Sequence, residues 1–252
     1  MSAQKTRLLS SLFVLVVVLA GCRTYQLPTS GEASNYRVDA RLDTARLLPV
    51  ALLIEPYKAA LDEKMNTVIA QVARPLIKAK PESGLGNWMT DAIQQMTPTL
   101  TSQPVAATTL NYGGLRIPEL PAGDLTLGKV YELMPFDNIL VILDLSGTMT
   151  QRFFDHVAAD GCWPMSKEVQ FTLQDGKATQ LTINGKPLVA DQLYRIAMPD
   201  YIADGGGDCD FLIGLPQENT GKLIRDLLIQ AARQQGAAGQ PIDAEVTGRV
   251  WE

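Results

Sequence analysis

Residues 105–116 read VAATTLNYGGLR: small and β-branched residues with no helical period from Val105 to Leu110, then Asn111, two glycines and Arg116. The first half has the composition of a strand and the second that of a tight corner. Gly113 and Gly114 leave backbone bare, and the planar fork of Arg116 offers paired donors to an anion. What surrounds a strand ending this way decides the fold.

Upstream, Pro56 stands at an expected helix start with Tyr57, Ala60, Leu61 and Met65 on one face, and NTVIAQV (66–72) reads as a strand. SGLGNWMTDAIQQM (83–96) places Leu85, Trp88, Met89 and Ala92 at helical spacing. Downstream, LTLGKVYELMPF (125–136) and NILVILDLSG (138–147) read as strand material. A Ser146-Gly147 turn leads into a helix with Met149, Phe153 and Val157 on one face.

Asp175-Gly176 and Asn184-Gly185 sit between alternating segments, the pattern of consecutive hairpins. LYRIAMPDYIA (193–203) gives a strand running into a glycine-rich loop, TGKLIRDLLIQAARQQG (220–236) an amphipathic helix, and AEVTGRVWE (244–252) a closing strand. There is no regular βαβ repeat. The expected class is therefore α+β, a mixed sheet with flanking helices.

The chain has 252 residues, 46% of them hydrophobic, enough for one good core. Lys5 and Arg7 precede an apolar run from Leu12 to Ala20 that closes on Leu19-Ala20-Gly21-Cys22. That run is short for a membrane span and reads as an export signal over residues 1–21 with a lipidation site at Cys22. Polar residues 22–52 are expected to form a tether and residues 53–252 the folded body. The expected location is a membrane-anchored lipoprotein of the bacterial envelope, and resemblance to other bacterial lipoproteins makes Arg23, after the lipid site, favour the outer membrane.

Cleavage before Cys22 would remove Lys5 and Arg7, leaving 20 basic against 27 acidic side chains and a net charge of −7. That balance argues against nucleic-acid binding, which needs a dense basic surface. Cys162 and Cys209 would sit where a disulfide is permitted, and the sequence leaves a bridge and two thiols equally open. The single histidine, His156, flanks an apolar stripe and cannot furnish a two-metal hydrolytic site.

Three further stretches accompany the corner in order: SGLGNWMTDA (83–92), GDLTLGKVYELMPFDNILVILDLSG (123–147) and YRIAMPDYIADGGGD (194–208). With NYGGLR they resemble the C-terminal domain of the 5'-nucleotidase family, over about the last 200 residues of the chain. Members of that family pair a dimetal metallophosphoesterase domain with a C-terminal domain that grips the nucleoside. The motifs of the first domain have no counterpart in this sequence.

The resemblance implies a nucleotide site. Asn111, Gly113, Gly114 and Arg116 match the family's corner, with Arg116 meeting phosphate or ribose oxygens. Phe136 and Tyr201 match the two aromatics that sandwich the base, Tyr201 standing where phenylalanine is often seen. Gly206, Gly207 and Asp208 match a loop whose carboxylate accepts ribose hydroxyls, with Asp210 a rival. Lys78 or Lys80 would stand in for an arginine usual upstream of SGLGN.

No catalytic residue, cofactor or metal is expected in this chain; divalent metals belong to a separate catalytic partner. The favoured function is the nucleotide-recognition half of a split 5'-nucleotidase in nucleotide catabolism. A non-catalytic nucleotide- or nucleoside-binding lipoprotein is the alternative, and a scaffold with a decayed pocket the third.

Overall fold

The computed structural model describes residues 48–252. The export signal, the lipidation site at Cys22 and all but the last residues of the expected tether lie outside the described residues. Helix α1 (Leu48–Met65) begins within that tether and runs through Pro56, which stands in its interior rather than at its start. None of the described helices is long and apolar enough to cross a membrane.

After α1 come β1 (Val68–Val72), β2 (Leu76–Ile77) and helix α2 (Gly84–Met96). Ser83 caps α2 by accepting the Gly86 N–H, and Leu85, Met89, Ile93 and Met96 bury one face. The chain continues through β3 (Ala107–Thr108), β4 (Glu119–Leu120), β5 (Gly123–Thr126) and helix α3 (Leu127–Leu133). Only the first residues of LTLGKVYELMPF are therefore strand. The Thr126 hydroxyl accepts the Lys129 N–H and starts a helix whose Leu127, Val130 and Leu133 face inward.

Strand β6 (Ile139–Ser146) leads into helix α4 (Gly147–Ala159), with Ser146 as N-cap. Strands β7 (Val169–Gln174), β8 (Lys177–Ile183) and β9 (Lys186–Pro187) form the two hairpins that the Asp-Gly and Asn-Gly turns predict. Then follow β10 (Leu193–Pro199), the single-turn helix α5 (Asp200–Ala203), β11 (Gln217–Leu223), helix α6 (Ile224–Ala237) and β12 (Val250–Trp251). Thr220–Leu223 thus belongs to a strand, not to the helix after it. The closing strand is two residues long.

The sheet that matters here has the order β11-β6-β10-β3. Its β6–β11 and β6–β10 pairs are antiparallel and its β10–β3 pair is parallel, so the sheet is mixed. Along β6 the side chains alternate between two cores. Leu140 and Ile142 pack with α2, α3 and α6, while Val141, Leu143 and Leu145 pack with α4, β7 and β8. Burial on both faces explains the unbroken apolar run from Ile139 to Leu143. Each such side chain contributes about 1.5–3 kcal/mol on burial.

Candidate functional site

The register of this sheet gathers the segments that the sequence singles out. Pro199 at the end of β10 lies opposite Leu140 near the start of β6, so Tyr201 and Phe136 leave the sheet at the same end. Strand β3 runs parallel to β10, with Ala107 beside Ile196 and Thr108 beside Ala197. The Thr109 N–H extends that pairing by donating to the Ala197 carbonyl at 2.9 Å. Asn111 therefore departs at this end too. Leu223 of β11 pairs with Ile139, which brings Arg225 to the same rim.

At the corner, Tyr112–Gly114 form a 3₁₀ turn preceded by extended Asn111. The Asn111 carboxamide folds back over Gly114, where an added Cβ would lie 2.9 Å from Asn111 Oδ1. Gly113 is exposed, and its carbonyl accepts from Arg116 Nη1 at 3.3 Å. Arg116 is exposed, with its guanidinium carbon 5.6 Å from the centre of the Phe136 ring.

Lys78 and Lys80 also reach this corner, with Nζ 4.0 and 4.7 Å from the centre of the Tyr112 ring. Lys78 donates to the Leu115 carbonyl at 2.8 Å. Burial, followed by the nearby charges of Arg116 and Lys80, pushes the Lys78 ammonium below its ordinary pKa. Lys80 is drawn off to the Asp160 carbonyl, with the Asp160 carboxylate 4.0 Å away. Of the two lysines, Lys78 is thus the closer to the corner.

Phe136 is 40% exposed and Tyr201 49%, so neither ring is core. The loop bearing Phe136 is held from behind by Arg225, which is buried and donates to the carbonyls of Met134, Pro135 and Phe136 at 3.5, 3.1 and 3.2 Å. Those three bonds come from Nη1, and Nη2 meets Asp137 Oδ1 at 2.6 Å. The sequence reading missed Arg225; the signal was a lone arginine in the apolar stretch LIRDLLI.

The Tyr201 ring packs against Gly206, where any Cβ would stand 2.5 Å from Cε2, so only glycine fits. The Tyr201 hydroxyl accepts the Gly207 N–H at 3.2 Å. Gly207 and Asp208 both take positive φ, +63° and +61°. Asp208 is exposed, while Asp210 opens the next 3₁₀ turn, Asp210–Leu212. Both carboxylates stand at exposed residues.

Cys162 and Cys209 are both buried free thiols rather than a bridge. Burial pushes them up to about 11 and about 12 respectively, so neither is a ready thiolate. Among the described residues no group of three His, Cys, Asp or Glu is placed to hold a metal ion.

Residues 68–212 match the family described as 5'-nucleotidase, C-terminal domain. A 5'-nucleotidase of Vibrio vulnificus is 28% identical over 215 residues, covering 81% of this chain and 37% of its own. Protein UshA of Salmonella pullorum is 32% identical over 137 residues, covering 52% and 24%. Among solved structures, the 5'-nucleotidase precursor of Thermus thermophilus superposes with TM-score 0.67 at 25% identity, over 81% of this chain and 42% of that one. The chain spans less than half the length of each of these proteins.

Proposed function

Because this chain belongs to the 5'-nucleotidase C-terminal domain family, we propose that the sheet-end rim is a nucleotide-recognition site. The base stacks between Phe136 and Tyr201, Asp208 accepts ribose hydroxyls, and Asn111 and Arg116 meet the ribose or phosphate oxygens. The hydrolysis of the phosphate ester belongs to a separate polypeptide carrying the two metal ions. This chain would then be one half of a split 5'-nucleotidase, tethered to the cell envelope through lipidated Cys22.

One observation carries the reading: the register of β3, β6 and β10 delivers Asn111, Phe136 and Tyr201 to one end of one sheet. The chemistry at that end suits the ligand. Two exposed rings offer π-faces to a base, a gain of roughly 1–3 kcal/mol per stacked base. Arg116 and Lys78 supply positive charge on a chain whose net charge is −5.

Phosphate release from AMP tests the division of labour. The purified chain with Mn²⁺ is expected to release none alone, and to accelerate release when a metallophosphoesterase polypeptide of the same family is added. Turnover by the chain alone that survives metal-free repurification and disappears in Arg116→Ala would overturn the split. Nucleotide binding with no partner-dependent turnover would favour binding without hydrolysis instead.

A further inference from the structure

The turn that carries Asp208 is left-handed at two successive residues, Gly207 and Asp208, a conformation that glycine takes freely and aspartate more readily than most residues. Two side chains from outside the turn meet the Gly207 backbone. On one side the Tyr201 hydroxyl takes the Gly207 N–H at 3.2 Å. On the other, His156 Nε2 stands 2.7 Å from the Gly207 carbonyl oxygen. A carbonyl only accepts, so Nε2 carries the proton and donates.

His156 comes from α4, 51 residues earlier, and its ring cannot swing freely. Trp163 meets it edge-on at 5.5 Å and Phe211 at 5.8 Å, and Arg152 covers the Phe211 ring at 4.4 Å. Trp163 also supports Gly207 directly, because a Cβ there would come within 3.1 Å of Cη2. Both polar backbone groups of Gly207 therefore meet side chains, the packed ring of His156 at the carbonyl and the Tyr201 hydroxyl at the N–H, and the next residue is the carboxylate assigned to the sugar.

We propose that His156 is a positioning residue for sugar recognition: acting through the Gly207 carbonyl, it sets where the Asp208 carboxylate meets the ribose hydroxyls. The inference rests on the nucleotide reading of the rim. It gives the lone histidine a role without a metal. It also makes selectivity for a hydroxyl-bearing sugar depend on a side chain that touches no ligand.

The test is calorimetric titration of adenosine and 2′,3′-dideoxyadenosine into the full chain and its variants. The parent should prefer adenosine. His156→Leu should lose about tenfold in adenosine affinity, the scale of one well-placed hydrogen bond to a charged group, with dideoxyadenosine little changed. His156→Gln, whose amide can donate from a similar place, should recover most of the loss.

If His156→Leu does not fold by circular dichroism, Tyr201→Phe removes the hydroxyl on the other side of Gly207 while keeping the ring, and should lower adenosine selectively. Equal losses for both ligands, or an unchanged preference in the folded variants, would overturn the inference and leave the nucleotide reading intact. A parent that binds neither ligand overturns that reading and this inference with it.

Discussion

Arg249 and Arg116 carry the same guanidinium in opposite circumstances. Arg249 is 3% exposed: Nη1 and Nη2 meet both Asp91 oxygens at 3.0 and 2.7 Å, Nη1 also reaches the Met165 carbonyl at 2.5 Å, and Nε donates to Thr247. The Glu82 side chain, itself buried, lies 3.7 Å away and accepts the N–H groups of Thr247, Gly248 and Arg249. Arg116 is exposed and makes one long hydrogen bond within its own corner. A guanidinium with every donor group engaged holds the fold, and one left open at a rim is available to a ligand.

The largest effect expected from that contrast is on stability. Arg249→Ala leaves Asp91 and Glu82 without their cation and should cost about 3–5 kcal/mol in urea unfolding, as breaking a buried pair from one side does. Arg116→Ala should leave unfolding within about 0.5 kcal/mol of the parent. A comparable loss in both variants would break the distinction.

Binding should reverse the order. Arg116→Ala should weaken AMP by roughly 1.5–3 kcal/mol in calorimetry while sparing adenosine, if the guanidinium meets phosphate. If it meets ribose, both ligands weaken together. Tyr201→Ala should weaken AMP and adenosine alike by roughly 1–3 kcal/mol, because both present the same ring. A Tyr201 effect confined to AMP would remove the stacking role.

The smallest effect near neutrality is that of pH. Burial alone would raise the Glu82 carboxyl, but hydrogen bonds from the Thr247 and Arg249 N–H groups and the Asn87 side chain, with the Arg249 charge, outweigh it and hold Glu82 below its ordinary 4.5. A depressed folded-state pKa gives stability that is complete above the unfolded value and lost as pH falls through the folded one. Melting temperature should therefore hardly respond to Glu82 between pH 7 and about 5.5 and fall below about pH 4.5, with Glu82→Gln flattening the acid limb. Parallel acid limbs in the parent and Glu82→Gln would detach Glu82 from this behaviour.

The sequence made some of this legible and hid the rest for identifiable reasons. The turns at Asp175-Gly176 and Asn184-Gly185 and the apolar run of β6 carry local signals, and they stand as hairpins and a doubly buried strand. Leu127–Leu133 reads as strand by composition, yet the Thr126 cap and an inward face make it helix. Gln217–Leu223 is mostly exposed with no apolar alternation, and only pairing to β6 makes it a strand. Arg225 and Asp137 are 88 residues apart, and the His156–Gly207 contact spans 51, so neither leaves a trace in local pattern. The corner and the glycine loop were visible as motifs; their meeting at one rim follows from strand register.

Amide hydrogen exchange with and without saturating AMP tests that meeting most directly. The expected result is slowed exchange in three separated segments at once, residues 111–116, 134–138 and 200–208, with the helices α2 and α6 unchanged. Slowing confined to one of the three segments, or located instead in the groove that Trp88, Asp91 and Gln95 of α2 line with Ala231 and Gln234 of α6, would contradict a single site built at the end of the β11-β6-β10-β3 sheet.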